Sequence, residues 1–550
     1  MSTVHALFTR TAARTPQADF LFVEAVTART YGIDGGAIGW ARAAAQVEPL
    51  RQAYAAAGYG HGHRVGLLLE NRPAFFLHWF ALNALGVSVV PIHADLRAAE
   101  LRYLIEHSEI ALAVTLPTHE RALQAAAAEV GSSLNTWAVD AARSFAMPAG
   151  SPPSSPGAAP RAGQPIGADT ECALLYTSGT TGRPKGCILA NRYFLDAGRW
   201  YADLGHLCTV RPDSERVITP LPLTHMNAMA FSTMVVLTAG GCLIQLDRFH
   251  PASWWRGVRE SGATAVHYLG VMPAMLLSAP AAADDREHAV RIGFGAGVDR
   301  KLHAVFEARF GFPLLEAWAM TETGSAACVM AHREPRHVGT SCFGRADAAT
   351  MQWRLVDDAG VDVATGQPGE LWVRASGADP RRGFFGGYLK DEAATEEAWA
   401  GGWFHTGDIV RADGNGSLYF VDRKKNVIRR SGENISAVEV ESVLNQHPLV
   451  QASAVAATPD AVRGDEVLAC IVTRQPLSPD ERAAAARTLV EHALARLSYF
   501  KAPGYVAFVD ALPLTPSQKI QRGELKAMAA QLPGQPHCVD TRALKRRPLA

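Results

Sequence analysis

The sequence predicts an α/β protein of more than one domain, and three observations carry that prediction. The chain has 550 residues, more than one hydrophobic core accommodates. Between Val65 and Pro91 an apolar run, a helix pattern and a second apolar run follow in succession. That is a βαβ unit, which calls for a parallel sheet. A third apolar run, Cys172–Tyr176, leads directly into a loop dense in glycine and hydroxyl groups.

Composition narrows the class. Apolar residues make up 48% and charged residues 19%, the mixture of a globular protein rather than a disordered one. Lys+Arg and Asp+Glu balance at 53 each, so no net field favours nucleic acid or an acidic membrane surface. The 8 cysteines form no C-x-x-C pair, and Met1–Arg14 has no long apolar core for export. Reduced thiols in a cytoplasm are the expectation. Met226–Leu246 carries no charge over about a bilayer's length. Asn227, Ser232, Thr233, Thr238 and Gly240-Gly241 interrupt it, so it reads as a buried helix, a glycine turn and a strand ending at Leu246.

Along the chain, Val65–Leu69 reads as a strand, Pro73–Leu85 as a helix with proline in its first turn, and Val87–Pro91 as the next strand. Asp95–Glu106 reads as an amphipathic helix. The segment 148–165 is rich in Pro, Ser, Gly and Ala and reads as a surface linker without apolar burial of its own. Two glycine clusters, Gly58–His63 and Gly293–Gly297, do not have the G-x-G-x-x-G spacing. His61 and His63 read as part of a solvated turn, with a metal pair as the lesser alternative.

The loop Thr177-Ser178-Gly179-Thr180-Thr181-Gly182-Arg183-Pro184-Lys185 combines close backbone N–H groups, hydroxyls and a mobile cation, the chemistry of a phosphate-holding loop. It is not the G-x-x-x-x-G-K-[ST] loop of nucleotide hydrolases. His225 follows the strand-like Val217–Thr219 and by itself reads as a base, a ligand or a packed residue. Leu314–Trp318 reads as a strand and Thr321-Glu322 as the start of a capped helix. Trp318 offers a ring face, and Glu322 a hard oxygen suited to Mg²⁺. Asp408, in Thr406-Gly407-Asp408, presents a carboxylate able to accept from vicinal hydroxyls; a plain glycine-turn aspartate is the alternative. Arg423-Lys424-Lys425 reads as a solvated basic cluster. Ser431–Ser436 is a turn before the helix Ala437–Gln446. Leu512–Arg522 contains Lys519, and Pro533–Ala550 receives no assigned structure.

In order and spacing, from about Thr9 to Lys526, these motifs resemble the adenylate-forming superfamily of acyl-CoA synthetases, adenylation domains and luciferases. The arrangement around Met320–Thr323 and Val421–Asn434 is most similar to the crotonobetaine/carnitine-CoA ligase branch. Trp318 and Ala319 stand where that family has Tyr and Gly, and Gln518 where it has Gly. The resemblance implies a large N-terminal α/β domain, 1–422, a hinge, 423–425, pivoting at Lys425, and a small α+β lid domain, 426–550. It implies an acid–CoA ligase using a carboxylic acid, ATP, Mg²⁺ and CoA, without nucleic acid or a membrane span, as a monomer or homodimer. ATP and AMP contacts would come from Thr177, Ser178, Gly179, Thr180, Thr181, Gly182, Lys185, Glu316, Ala317, Trp318, Thr321, Asp408, Arg423 and Lys519. Lys519, Thr321 and Glu322 would be catalytic, Glu322 through the metal. His225, Gly295, Ala296 and Met320 would line the acyl pocket. Ser431, Gly432 and Glu433 would face CoA. The rival readings are an adenylation enzyme that loads a carrier protein and a non-catalytic AMP or ATP sensor.

Overall fold

A computed structural model describes residues 2–139, 151–155, 157–177, 183–357, 359–423, 428–431, 433–435, 437–513, 520 and 522–545. The chain divides into two compact units. The first comprises Met1–Ala94, Leu104–Tyr176 and Gly186–Val421; the second comprises Asp95–Tyr103, Thr177–Lys185 and Asp422–Ala550.

The βαβ unit is present in the first unit. Strands Arg64–Leu68 and Ser88–Pro91 pair in parallel, with Val65 opposite Val89. Between them runs the helix Pro73–Ala84, buried from Pro73 to Asn83. A helix apolar all round belongs in a core, and Phe76 and Phe80 meet Phe20 there, which in turn meets Trp40, with Phe8 stacked on Phe80 at 4.5 Å. This unit's six-stranded sheet runs in space as Asn135–Ala138, Leu112–Thr115, Arg64–Leu68, Ser88–Pro91, Glu171–Thr177, Lys185–Ala190.

An eight-stranded sheet runs as Val329–Met330, Leu314–Trp318, Ile292–Ala296, Ala265–Leu269, Arg216–Thr219, Cys242–Gln245, Asp19–Val23, Gly36–Gly39. Its central strands are parallel. A five-stranded antiparallel sheet carries Phe404–Ala412. The uncharged stretch after Met226 becomes a π-helix, Asn227–Ser232, then an α-helix, Thr233–Ala239. Gly240, at φ 83°, turns the chain into the strand Cys242–Gln245. Among the described residues no helix is long and apolar enough to cross a membrane.

In the second unit, Val450–Asp460 and Gly464–Thr473 form a long antiparallel hairpin, and Tyr505–Phe508 pairs in parallel with the latter. Helix Pro479–Leu494 opens with a capping box between Ser478 and Glu481.

The structure corrects four readings. The described part of 148–165 is pinned to the Ala57–His63 turn. Ser155 N–H bonds Ala57 O at 2.8 Å, Arg161 N–H bonds His61 O at 2.9 Å, and Ser155 Oγ lies 3.2 Å from His63 Nε2. Backbone hydrogen bonding orders what apolar burial does not. His61 and His63 are accordingly buried rather than solvated, and among the described residues no cluster of three or more ligating side chains suits a metal. Residues Thr321–Ala327 form successive turns, not a helix, because Thr323 Oγ1 and the Thr323 and Gly324 amides fold back on Met320. The tail is partly ordered: Cys538–Asp540 adds a strand beside Tyr505–Phe508, and buried Lys545 pairs with Glu466, which also holds Arg430.

Candidate functional site

The candidate site in the first unit lies at the carboxyl ends of three adjacent parallel strands, Ala265–Leu269, Ile292–Ala296 and Leu314–Trp318. Open α/β sheets bind ligands at that edge, where strand-end loops expose backbone groups. Register sets Leu269 beside Ala296 and Gly295 beside Glu316. Gly295 and Ala296 therefore end one strand next to Glu316, Ala317 and Trp318 on another.

Two loops at this edge nearly touch. A Cβ on Gly270 would lie 1.7 Å from the Gly297 carbonyl oxygen, so only glycine fits. Glu316 shapes the same approach. Its buried carboxylate accepts from Tyr268 Oη at 2.8 Å and from the Gly297 and Val298 amides at 2.9 and 3.1 Å. Burial raises its pKa, against the lowering effect of those three donors. The Glu316 side chain is thus directed at its own protein's loop rather than outward, and what it presents to a ligand is the loop it folds.

Trp318 ends its strand with the indole Nε1–H donating to Asp408 Oδ2 at 2.8 Å. Asp408 is almost fully buried. It is placed by the turn Thr406–Asp408, in which the Asp408 amide donates to Thr406 Oγ1 and that hydroxyl donates to Leu371 O. Two motifs far apart in sequence become one wall.

Beyond Trp318, Met320 and Thr321 are half-buried and Glu322 is buried. Tyr388 Oη donates to Glu322 Oε1 at 3.0 Å, and the Phe385 amide donates to Glu322 O at 2.9 Å. Burial and the Glu322 carboxylate push the Tyr388 hydroxyl far up, so it stays a donor. His225, half-buried, lies two residues before the π-helix; its amide bonds Pro222 O. That helix packs on the strand Ile292–Ala296 through Phe231 and Phe294, centroids 5.6 Å apart.

The other predicted residues belong to the second unit. Thr177 and Lys185 mark the ends of the phosphate-type loop. Tyr103 Oη bonds Pro184 O at 2.8 Å, and Arg183 lies over the Tyr103 ring at 5.5 Å. Arg423 ends the strand Ser417–Arg423. Ser431 has φ 50°, and its amide bonds Arg463 O at 3.0 Å. Glu433 begins a short strand, paired opposite Arg430. Ser178, Gly179, Thr180, Thr181, Gly182, Lys425, Gly432 and Lys519 lie outside the described residues.

Sequence reasoning missed Tyr268, Gly270 and Tyr388. The Gly293–Gly297 cluster signalled the close-packed loop, but its partner Gly270 stands alone between apolar runs. Nothing local marks Tyr388 as the partner of Glu322.

Comparison with known proteins shows the family. The family model described as AMP-binding enzyme matches residues 8–389, and that of the AMP-binding enzyme C-terminal domain matches residues 439–519. A sulfoacetate–CoA ligase of Cupriavidus necator is 31% identical over 494 residues, 89% of this chain and 92% of its own. A crotonobetaine/carnitine–CoA ligase of Shigella sonnei is 29% identical over 484 residues, 85% of this chain and 89% of its own. A solved malonyl-CoA ligase, a ternary product complex with methylmalonyl-CoA and AMP bound, is 27% identical with a TM-score of 0.69, covering 87% of this chain and 95% of that one.

Proposed function

The chain belongs to the AMP-binding enzyme family, and from that premise we propose that it is an AMP-forming acid–CoA ligase. It activates a carboxylic acid with ATP as acyl-AMP, releasing pyrophosphate, and then passes the acyl group to the thiol of CoA, releasing AMP. The observation that supports this reading is the indole–carboxylate bond from Trp318 to Asp408, which joins two separate motifs into one wall, the one we assign to the nucleotide. Asp408 is assigned the ribose hydroxyls and Trp318 the adenine and ribose face.

Thr177, Ser178, Gly179, Thr180, Thr181, Gly182 and Lys185 are assigned the β- and γ-phosphates, Thr321 the α-phosphate and Arg423 the ribose. His225, Gly295, Ala296 and Met320 border the acyl group. Lys519 neutralises charge between the attacking carboxylate and the α-phosphate. Ser431, Gly432 and Glu433 line the route of CoA, and a pivot at Lys425, between a domain ending near residue 422 and a lid, exchanges the two arrangements.

Mg²⁺ fits the donors present. The described residues build no all-protein cage, and Mg²⁺ needs none: it is held by one or two carboxylates together with substrate phosphates. Glu322 is the carboxylate in the right turn. When bound, the ion would offset phosphate charge. A cytoplasmic location completes the proposal and rests on the cysteine usage of the sequence.

The test is a pyrophosphate-release screen over carboxylic acids, followed by thioester detection with free CoA and with a phosphopantetheinylated carrier protein. Pyrophosphate and acyl-CoA from at least one acid are expected. Transfer to the carrier alone would reassign the acceptor, and nucleotide binding without pyrophosphate release for any acid would make the chain a sensor.

A further inference from the structure

A buried charge cluster in the second unit has no part in these roles. After the strand Cys538–Asp540 the chain turns through Arg542–Leu544. Thr541 fixes that turn: its amide donates to Gly504 O and its hydroxyl to Pro503 O, both at 2.9 Å. The turn delivers Lys545 to Glu466, and both side chains are 0% exposed. Glu466 Oε1 accepts from Lys545 Nζ and from the Val467 amide, and Arg430 Nε donates to the two carboxylate oxygens at 2.9 and 2.8 Å. Gly504 makes the room, since a Cβ there would overlap the Glu466 side chain. Two cations thus converge on one carboxylate. Burial, then Arg430, lower the Lys545 pKa to about 7 against the raising effect of Glu466. Burial works to raise Glu466, but Lys545 and Arg430 outweigh it and hold that carboxyl below its ordinary range.

Arg430 is where this cluster meets the residues assigned to CoA. It ends the strand Ile428–Arg430, opposite Glu433 on one side and Gly464 on the other. The next residue, Ser431, stands at φ 50°, a left-handed conformation that a residue other than glycine keeps only where its surroundings hold it. Ser431 is exposed, so packing on its own side chain does little of that holding. The restraint comes from its amide, bonded to Arg463 O at 3.0 Å, and from buried Arg430 directly before it. Arg430 is fixed by Glu466, and Glu466 is closed off from water by Lys545. With Lys545 removed, water reaches the remaining pair, and a solvated ion pair fixes geometry weakly.

We propose that Lys545 is a positioning residue for the second half-reaction: through Glu466 and Arg430 it holds Ser431 and Glu433 in the arrangement that receives CoA, so that the end of the chain is part of the thioester-forming site. The inference rests on the acid–CoA ligase reading above and on the CoA role assigned there to these residues. It separates the two half-reactions, because nothing in this cluster belongs to the groups assigned to ATP or to the acid.

The experiment measures the half-reactions separately in the full chain, ATP–pyrophosphate exchange for the first and thioester formation from supplied acyl-AMP and CoA for the second. Wild type is compared with Lys545→Met and Lys545→Ala, each checked by thermal melting, so that one folded variant suffices. Exchange should stay within about twofold of wild type, while the KM for CoA rises roughly 3–30-fold, the range over which a residue acting through others modulates a site. Arg430→Met should raise the same KM. The double variant should raise it by less than the product of the single effects, because both cations act through one carboxylate. An unchanged KM for CoA in a folded Lys545 variant, exchange that falls in parallel with thioester formation, or single effects that multiply in the double variant overturns this inference alone. No exchange with any acid, or no transfer to CoA by wild type, overturns the ligase reading, and the inference with it.

Discussion

The indole Nε1–H of Trp318 donates to Asp408 Oδ2 at 2.8 Å, across 90 residues of sequence. Asp408 is 1% exposed, so a donor withdrawn from its carboxylate is not replaced cheaply by water. Hydrogen bonds to charged groups contribute about 1.5–3 kcal/mol.

Trp318→Phe keeps a ring face and removes the donor. It should raise the KM for ATP by roughly tenfold or more, in line with that hydrogen-bond range, and Asp408→Ala should raise it further. ATP titration of pyrophosphate release reads both. An unchanged KM in both variants would remove Asp408 from the nucleotide site.

Lys519 serves only the first half-reaction in the proposed mechanism. Lys519→Ala should slow acyl-AMP formation by about 10²–10³, while supplied acyl-AMP and CoA still give the thioester. Lys425→Pro should show the opposite signature, because proline restricts φ at the proposed pivot. Equal loss of both half-reactions in either folded variant contradicts the role given to that lysine.

Gly270→Ala inserts a methyl group where the Gly297 carbonyl already stands, 1.7 Å from the ideal Cβ. The loop held by Glu316 must move. Overpacking of this kind costs about 1–3 kcal/mol or more, so the melting temperature should fall and acid activation should drop with it. Wild-type activity and stability would mean that the two loops part without consequence.

Acid stability should depend on Glu307. Burial pushes its pKa up, but bidentate Arg336, with N–O distances of 2.6 and 2.9 Å, together with His303 and the Leu314 amide, outweighs burial and holds it near about 2, below its ordinary 4.5. A depressed carboxyl pKa stabilises the fold above the unfolded value, and that contribution is lost as pH falls from about 4.5 toward 2. Glu307→Gln should flatten the decline in melting temperature over that range. Arg336→Leu, which removes the bidentate partner of a half-buried carboxylate, should cost about 1–2 kcal/mol near neutral pH, less than for a fully buried pair because solvent screens the charge. A pH profile of melting temperature identical to wild type in Glu307→Gln would refute the assignment.

The sequence alone determined the elements whose signals are local. Val65–Pro91 reads as strand, helix and strand because its apolar runs and Pro73 act over a few residues, and that is how it folds. Met226–Leu246 likewise resolves into helix, glycine turn and strand. The motifs carrying Thr321, Glu322 and Asp408 were also visible, since their chemistry lies in short strings. Only the tertiary structure decided which of these groups meet. Strand order brings Gly270 to Gly297 and His267 to Asn227. Glu316, read from sequence as a nucleotide contact, has its carboxylate turned onto the Gly297 loop. The segment after Ser151 and the tail before Lys545 take order from partners elsewhere, Ala57 and Glu466. Local periodicity sets which face of an element is apolar; it carries no information about which distant residue that face will find.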